Sequence, residues 1–260
     1  MIILIYTVII ILATTLGAIS GLGGGVIIKP LFDAVGFHNM STIGFYSSVA
    51  VFTMSIVSII KQLRKGFSFE IKTVFWISFG SLVGGIIGEN VFNEVTRAYE
   101  NSTVKIIQAV CLGITLIGIL IYTLNKNKMK SYCLKNILYI FASGFFLGSI
   151  SVFLGIGGGP LNIAVLMLLF SYEMKEATVY SIATIFFAQI SKLGSVLVGG
   201  KLMNYDLSLL PFICFAAVIG GFMGTLINQK LNSSKIEKIY LGIIIGLIFV
   251  SIYNTYSAIV

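Results

Sequence analysis

Apolar positions along this chain run together rather than alternating with polar ones. Stretches near residues 3–20, 42–60, 73–92, 104–124, 137–154, 178–198, 208–227 and 237–256 are almost free of charge. Each is close to the roughly twenty residues a helix needs to cross about 30 Å of hydrocarbon. The pattern predicts eight membrane-spanning helices joined by short loops, with no room for a water-soluble domain. Two segments do not fit a simple crossing. Residues 2–37 and 137–172 are each too long for one span and too short for two with a turn, which predicts one full span plus about half a helix in each.

Both overlong segments contain a glycine run, GLGGGVIIKP at 21–30 and GIGGGPLNIA at 155–164. At an offset of 134, Gly21, Gly23, Gly24 and Gly25 fall on Gly155, Gly157, Gly158 and Gly159, and Tyr46-Ser47 falls on Tyr180-Ser181. GGIIG at 84–88 matches GGFMG at 220–224, and paired glycines recur in the fourth span of each half, Gly113 with Gly118 and Gly242 with Gly246. The chain therefore reads as two transmembrane repeats, 1–125 and 136–260, joined by a basic loop at 126–135. With four spans in each half, an even number, the two repeats should point the same way, related by a pseudo-two-fold along the membrane normal. The expected fold is an all-α polytopic membrane protein of two parallel four-helix repeats, with broken helices at the glycine motifs. A guest site belongs where the halves meet, since both can line it and open it by rocking. The small-xxx-small spacing of Gly80, Gly84 and Gly88, and of Ala216, Gly220 and Gly224, suits close helix packing.

Three successive glycines cost about 3 kcal/mol as helix interior, and a non-helical backbone survives in a membrane only if buried in protein or lining a cavity. The helix should break at both motifs, with Pro160 opening a fresh helix. Each new helix starts with free N–H groups and a partial positive charge, so two such starts brought together make an anion pocket. Lys29, inside the first motif and before Pro30, either complements a bound anion or snorkels to the nearer surface. Lys192 poses the same choice. Asn162 either donates to a substrate oxygen or caps exposed backbone. Ser47, Ser48, Ser181 and Thr184 lie at matched places in the spans after the motifs, where a hydroxyl either faces an oxyanion or bonds its own helix carbonyl. Asp33, His38 and Glu89 fall near predicted span ends, where water solvates them.

Composition agrees with the pattern. The 260 residues are 57% hydrophobic and 10% charged with a mean hydropathy of +1.03, far from the roughly 25% charged content of soluble domains. The net charge of +8 resides mainly in loops, with no basic helix carrying interleaved aromatics, so nucleic acid is not a partner. Lys61, Arg64, Lys65 and Lys72, with Lys126, Lys128, Lys130 and Lys135, place the second and fourth loops in the cytoplasm by the positive-inside rule. Counting alternate loops puts both termini there too, and Lys230, Lys235 and Lys238 opposite. The first apolar run has no basic residue before it and continues into the motif, so it reads as a span rather than a cleaved leader. Cys111, Cys133 and Cys214 have no metal or redox spacing, and no cofactor is called for. An intramembrane enzyme is disfavoured: the lone histidine is in a loop, and neither H-E-x-x-H nor G-x-S-G occurs.

The paired motifs GLGGGVIIKPLF and GIGGGPLNIAVLMLLF, with FYSSVAV and VYSIATI in the following spans, resemble the signature of the TauE/SafE family of sulfite exporters, over essentially the whole chain. The resemblance implies a secondary transporter, without an ATPase, moving small sulfur-containing anions (sulfite, thiosulfate, sulfonate or sulfoacetate) or related organic anions across the cytoplasmic membrane of a prokaryote. A passive anion channel is the alternative. The carried-over positions are Gly21, Gly23, Gly24, Gly25 and Pro30, then Gly155, Gly157, Gly158 and Gly159. Lys29 stands where the family usually has an apolar residue, and Ala164 where a proline often stands, which leaves the substrate open within the class. The bilayer is the other partner; a coupling proton or cation and a homo-oligomer are both left open.

Overall fold

A computed structural model describes residues 2–68, 70–154 and 158–259. The described residues form α1 (Ile2–Ser20), α2 (Gly25–Val35), α3 (Met40–Arg64), α4 (Ile71–Ala98), α5 (Asn101–Asn125), α6 (Ile137–Leu154), α7 (Gly159–Phe170), α8 (Met174–Val198), α9 (Leu210–Lys230) and α10 (Ser233–Ile259), with short 3₁₀ turns and no strand. Eight helices are long and apolar enough to cross a membrane; α2 and α7 are the short ones. Exposed side chains such as Leu4, Leu12, Phe215 and Phe249 give the bundle an apolar outer surface, as contact with lipid requires.

Helix α1 stops at Ser20, and α2 starts at Gly25 after a turn in which Gly21, Gly23 and Gly24 all have φ between 74° and 79°. That left-handed backbone is open to glycine without steric cost. Chain direction reverses there. Gly24 packs against Ala13 and Thr14, and farther along α2 the ring of Phe32 stacks on Tyr6 with centroids 3.8 Å apart. Thus α2 is a re-entrant half-helix that folds back along α1. In the second half α6 ends at Leu154 and α7 begins at Gly159 after Gly158, with φ 72°; Gly155 and Gly157 lie outside the described residues. Gly24 and Gly158 are the N-caps of α2 and α7, and α3 and α8 start at Met40 and Met174, again 134 apart and 25 residues long. Pro160 stands in the first turn of α7, where its missing N–H is harmless.

The halves are not parallel. Along α1 and α9, Thr14 meets Gly220, Ala18 meets Gly224, and the Ile19 carbonyl accepts from Asn228, so these helices run the same way. Along α3 and α9, Thr53 bonds Cys214, Ser58 meets Thr225 and Gln62 meets Asn228, again parallel. Helices α4 and α6 run together, Gly144 against Ile77 and Gly88 against Ser149, whereas α3 and α8 oppose, Gly44 near Lys192 and Phe52 stacked on Phe186. Hence α1, α3, α5 and α9 point one way and α4, α6, α8 and α10 the other. Helices at matched places in the two halves therefore run in opposite directions, as in transporters built from inverted-topology repeats. The even-span count failed because α2 returns the chain to the face where α1 began. Each half is then three crossings plus a hairpin, which is odd.

The same hairpins correct the side of the loops. Both termini, the 36–39 turn and the 199–209 segment lie on one face, the terminal face. Lys61, Arg64, Lys65, Lys72, the 126–135 loop, Lys175 and also Lys230, Lys235 and Lys238 lie on the other, the basic face. Lys126 pairs there with Glu237 at 2.5 Å.

Glycine sets the closest helix contacts. A Cβ on Gly80, Gly84 or Gly88 of α4 would meet the carbonyls of Phe141, Phe145 or Ser149 on α6, and Gly220 and Gly224 play the same part for α9 on α1. Backbone carbonyls cannot step aside. Gly84→Val is therefore expected to lower stability by about 3 kcal/mol, read as reduced monodisperse yield and melting temperature in detergent. Gly242→Ala, with open space around it, should be tolerated.

Candidate functional site

The two helix breaks meet inside the bundle. Gly159, opening α7, lies so close to the Leu22 backbone that no side chain fits between them. Each broken helix leaves carbonyls without intrahelical donors, and the bundle supplies donors to both. At the end of α1, the Asn228 amide donates to the Ile19 carbonyl at 2.7 Å, and the Ser181 hydroxyl to the Gly21 carbonyl at 2.7 Å. At the end of α6, Gln108 Nε2 donates to the Phe153 carbonyl at 2.6 Å, and Lys29 Nζ donates to the Leu154 carbonyl at 3.0 Å and to Gln108 Oε1 at 2.6 Å. An ammonium suits the negative end of a helix dipole. Lys29 does not snorkel; it is 5% exposed, and it stitches the half-helix α2 to the end of α6 and to α5.

Lys29 also borders a cavity between α2, α3, α4 and α8 whose lining includes Met40, Gly44, Ser48, Glu89, Val152, Lys192 and Tyr205. Its water-accessible space is about 40 Å³, room for a few waters by the rule that one needs about 10–15 Å³. Lys192 is buried on α8, and the absence of a side chain at Gly44 accommodates it: a Cβ there would stand 3.2 Å from Nζ. Among the described residues Lys192 has no ion pair within 4.0 Å. Glu89 is buried on α4, and its Oε2 has no hydrogen-bond partner. Two lysines and one glutamate thus line the same small cavity. An oxyanion is the complementary guest.

A second cavity adjoins the other side of Lys29, lined by Asp33, Lys105, Gln108, Ser251 and Asn254 among others. Asp33 and Lys105 form a looser pair there at 4.0 Å. Lys29 therefore separates two pockets on the terminal side of the bundle.

The remaining expected site residues are placed as follows. Gly21, Gly23, Gly24 and Gly25 form the turn and the start of α2, packed on Thr178, Ile185 and Thr14 rather than lining the cavity. Pro30 is buried within α2 and borders the second cavity. Ser48, Ser181 and Thr184 donate their hydroxyl protons to the carbonyls of Gly44, Gly21 and Tyr180, and Ser48 alone of these lines the cavity. Ser47 is buried. Asn162 is buried beside Gly158 with its Oδ1 unpartnered among the described residues. His38 stands apart at the terminal face, its Nδ1 2.8 Å from the Tyr6 hydroxyl. Among the described residues no group of His, Cys, Asp or Glu is placed to hold a metal.

Gln108 was not singled out by sequence, and Glu89, expected at a span end in water, is buried instead. A carboxylate directly after GGIIG, on a helix whose glycine face is a packing surface, was the available signal for Glu89.

A family model described as "Sulfite exporter TauE/SafE" matches residues 6–252. The chain is 27% identical over 255 residues to the "Probable membrane transporter protein YunE" of Bacillus subtilis, covering 88% of this chain and 89% of that one. It is 28% identical over 256 residues to the "Probable membrane transporter protein MJ0441" of Methanocaldococcus jannaschii, covering 89% and 88%. No solved structure matches it.

Proposed function

From the premise that the chain belongs to the sulfite exporter TauE/SafE family, and so is a membrane transporter, we propose that it carries small sulfur-containing oxyanions by a secondary mechanism, with the guest held between Lys29 and Lys192. The observation that carries this reading is the pair of buried lysines lining one cavity whose only acidic lining residue among the described residues is Glu89. In a low-dielectric interior an uncompensated ammonium is expensive, and a transient anionic guest compensates it. Lys29 is anchored by two hydrogen bonds, whereas Lys192 is free to follow the guest. The inverted halves support alternating access, because transporters of this architecture open by moving one repeat against the other. The positive-inside rule places the basic face in the cytoplasm, so the termini and the cavity side face outward across the cytoplasmic membrane of a prokaryote.

Counterflow in proteoliposomes tests the reading. Vesicles preloaded with unlabelled thiosulfate or sulfite are expected to take up labelled anion saturably and faster than empty vesicles. Linear flux without acceleration by internal anion would mean a channel, and no flux of any sulfur oxyanion would overturn the proposal.

A further inference from the structure

Glu89 has no structural task that accounts for it. It is buried on the terminal side of the bundle, and among the described residues its Oε2 lacks a hydrogen-bond partner and no ion pair within 4.0 Å holds it. A carboxylate retained only for packing would be bonded or paired, since leaving it unsatisfied destabilises the fold. Instead it lines the same cavity as Lys29 and Lys192. That space is where the proposed guest would stand.

Resting on the transporter reading above, we infer that Glu89 is the coupling residue: its carboxylate balances the two lysines when the cavity holds no anion, and takes up one proton when an oxyanion arrives. An ionised Glu89 and an anionic guest compete for the same two ammoniums and repel each other. A protonated Glu89 removes the repulsion and donates its O–H to a guest oxygen. Proton and anion binding are then mutually favourable, and linkage makes that effect reciprocal. The charged groups facing Glu89 from neighbouring elements are Lys29 on α2 and Lys192 on α8; α3 contributes the neutral Ser48 and α6 the apolar Val152. Asp33 stands on the far side of Lys29 with Lys105. The proton enters from the aqueous phase on the side where the cavity is open, binds a Glu89 oxygen, and leaves to the opposite phase when the guest does. No bond other than O–H changes.

Thiosulfate is the probe, because it remains a dianion near neutral pH and carries no proton of its own. In proteoliposomes with the membrane potential clamped by potassium and valinomycin, an inside-alkaline gradient should drive thiosulfate accumulation by the wild type. Trapped pyranine should record about one proton entering per anion. In Glu89→Gln any thiosulfate flux that remains should bring in no proton, and the gradient-driven accumulation ratio should fall to one. Net thiosulfate uptake by the wild type without any proton entry, or full accumulation by Glu89→Gln, would overturn the inference and leave the transporter reading standing. Failure of the wild type to move any sulfur oxyanion would overturn both. If Glu89→Gln does not fold, the wild-type proton count decides by itself, and Glu89→Asp should retain coupled uptake.

Discussion

Replacing Lys192 with methionine is expected to leave a stably inserted protein that has lost its hold on the anion. No hydrogen bond in the described structure depends on this ammonium, so the isosteric apolar side chain orphans no partner and the melting temperature should stay near wild type. The loss falls on the guest. A hydrogen bond to a charged group contributes about 1.5–3 kcal/mol, so thiosulfate affinity should fall by about 10- to 150-fold, read by calorimetry or by the half-saturation of counterflow. Lys29→Met should differ in kind. It removes the donor to both Gln108 Oε1 and the Leu154 carbonyl, and each orphaned buried acceptor costs about 1–3 kcal/mol. Lys29→Met should therefore lower both affinity and melting temperature. Wild-type affinity in Lys192→Met would remove this lysine from the site.

Gly159→Val is expected to abolish folding and transport together. Its side chain would have to occupy the place of the Leu22 backbone, and backbone held in a turn of left-handed glycines has no rotamer by which to retreat. Displacing it separates the two broken helices at the point where the halves cross. Costs above about 4 kcal/mol are reserved for such collisions, so the variant should give little monodisperse protein after extraction and no counterflow. Gly158→Val would be harder to interpret, because its φ of 72° is itself unfavourable for valine and the Ser151 side chain stands in the way. Gly194→Ala and Gly118→Ala, with nothing nearby, are the matched controls. A Gly159→Val protein that folds and transports would mean that the crossing is not needed.

Much of this organisation was legible in the sequence because bilayer physics leaves few choices. Twenty apolar residues must be a helix, and three glycines in hydrocarbon must end one. The positions of Gly24 and Gly158 followed from that, as did the half-helices. Orientation did not follow, since whether a half-helix returns the chain depends on the φ angles of Gly21, Gly23 and Gly24 and on packing such as Phe32 on Tyr6. The site was read only in part. Lys29 and Lys192 stood out as charges inside apolar runs, and the amide-rich starts of α2 and α7 stood out by their glycines, whereas the carbonyl ends of α1 and α6 did not. Carbonyl ends leave no mark in sequence. Gln108 caps one from 79 residues away from Lys29, and no local pattern marks such a partnership.

The upside-down relation of the halves has a consequence for energetics. A cavity near one face of such a molecule implies a counterpart near the other, reached if each half takes up the packing now used by its twin. No helix need melt for that exchange. What would differ between the two arrangements is which side chains meet, for example Gln62 and Asn228, now hydrogen-bonded at 3.1 Å toward the basic side. On the proposed transport reading, the handover from one compartment to the other would be a trade of near-equal partners, whose balance a single bound ion could tip.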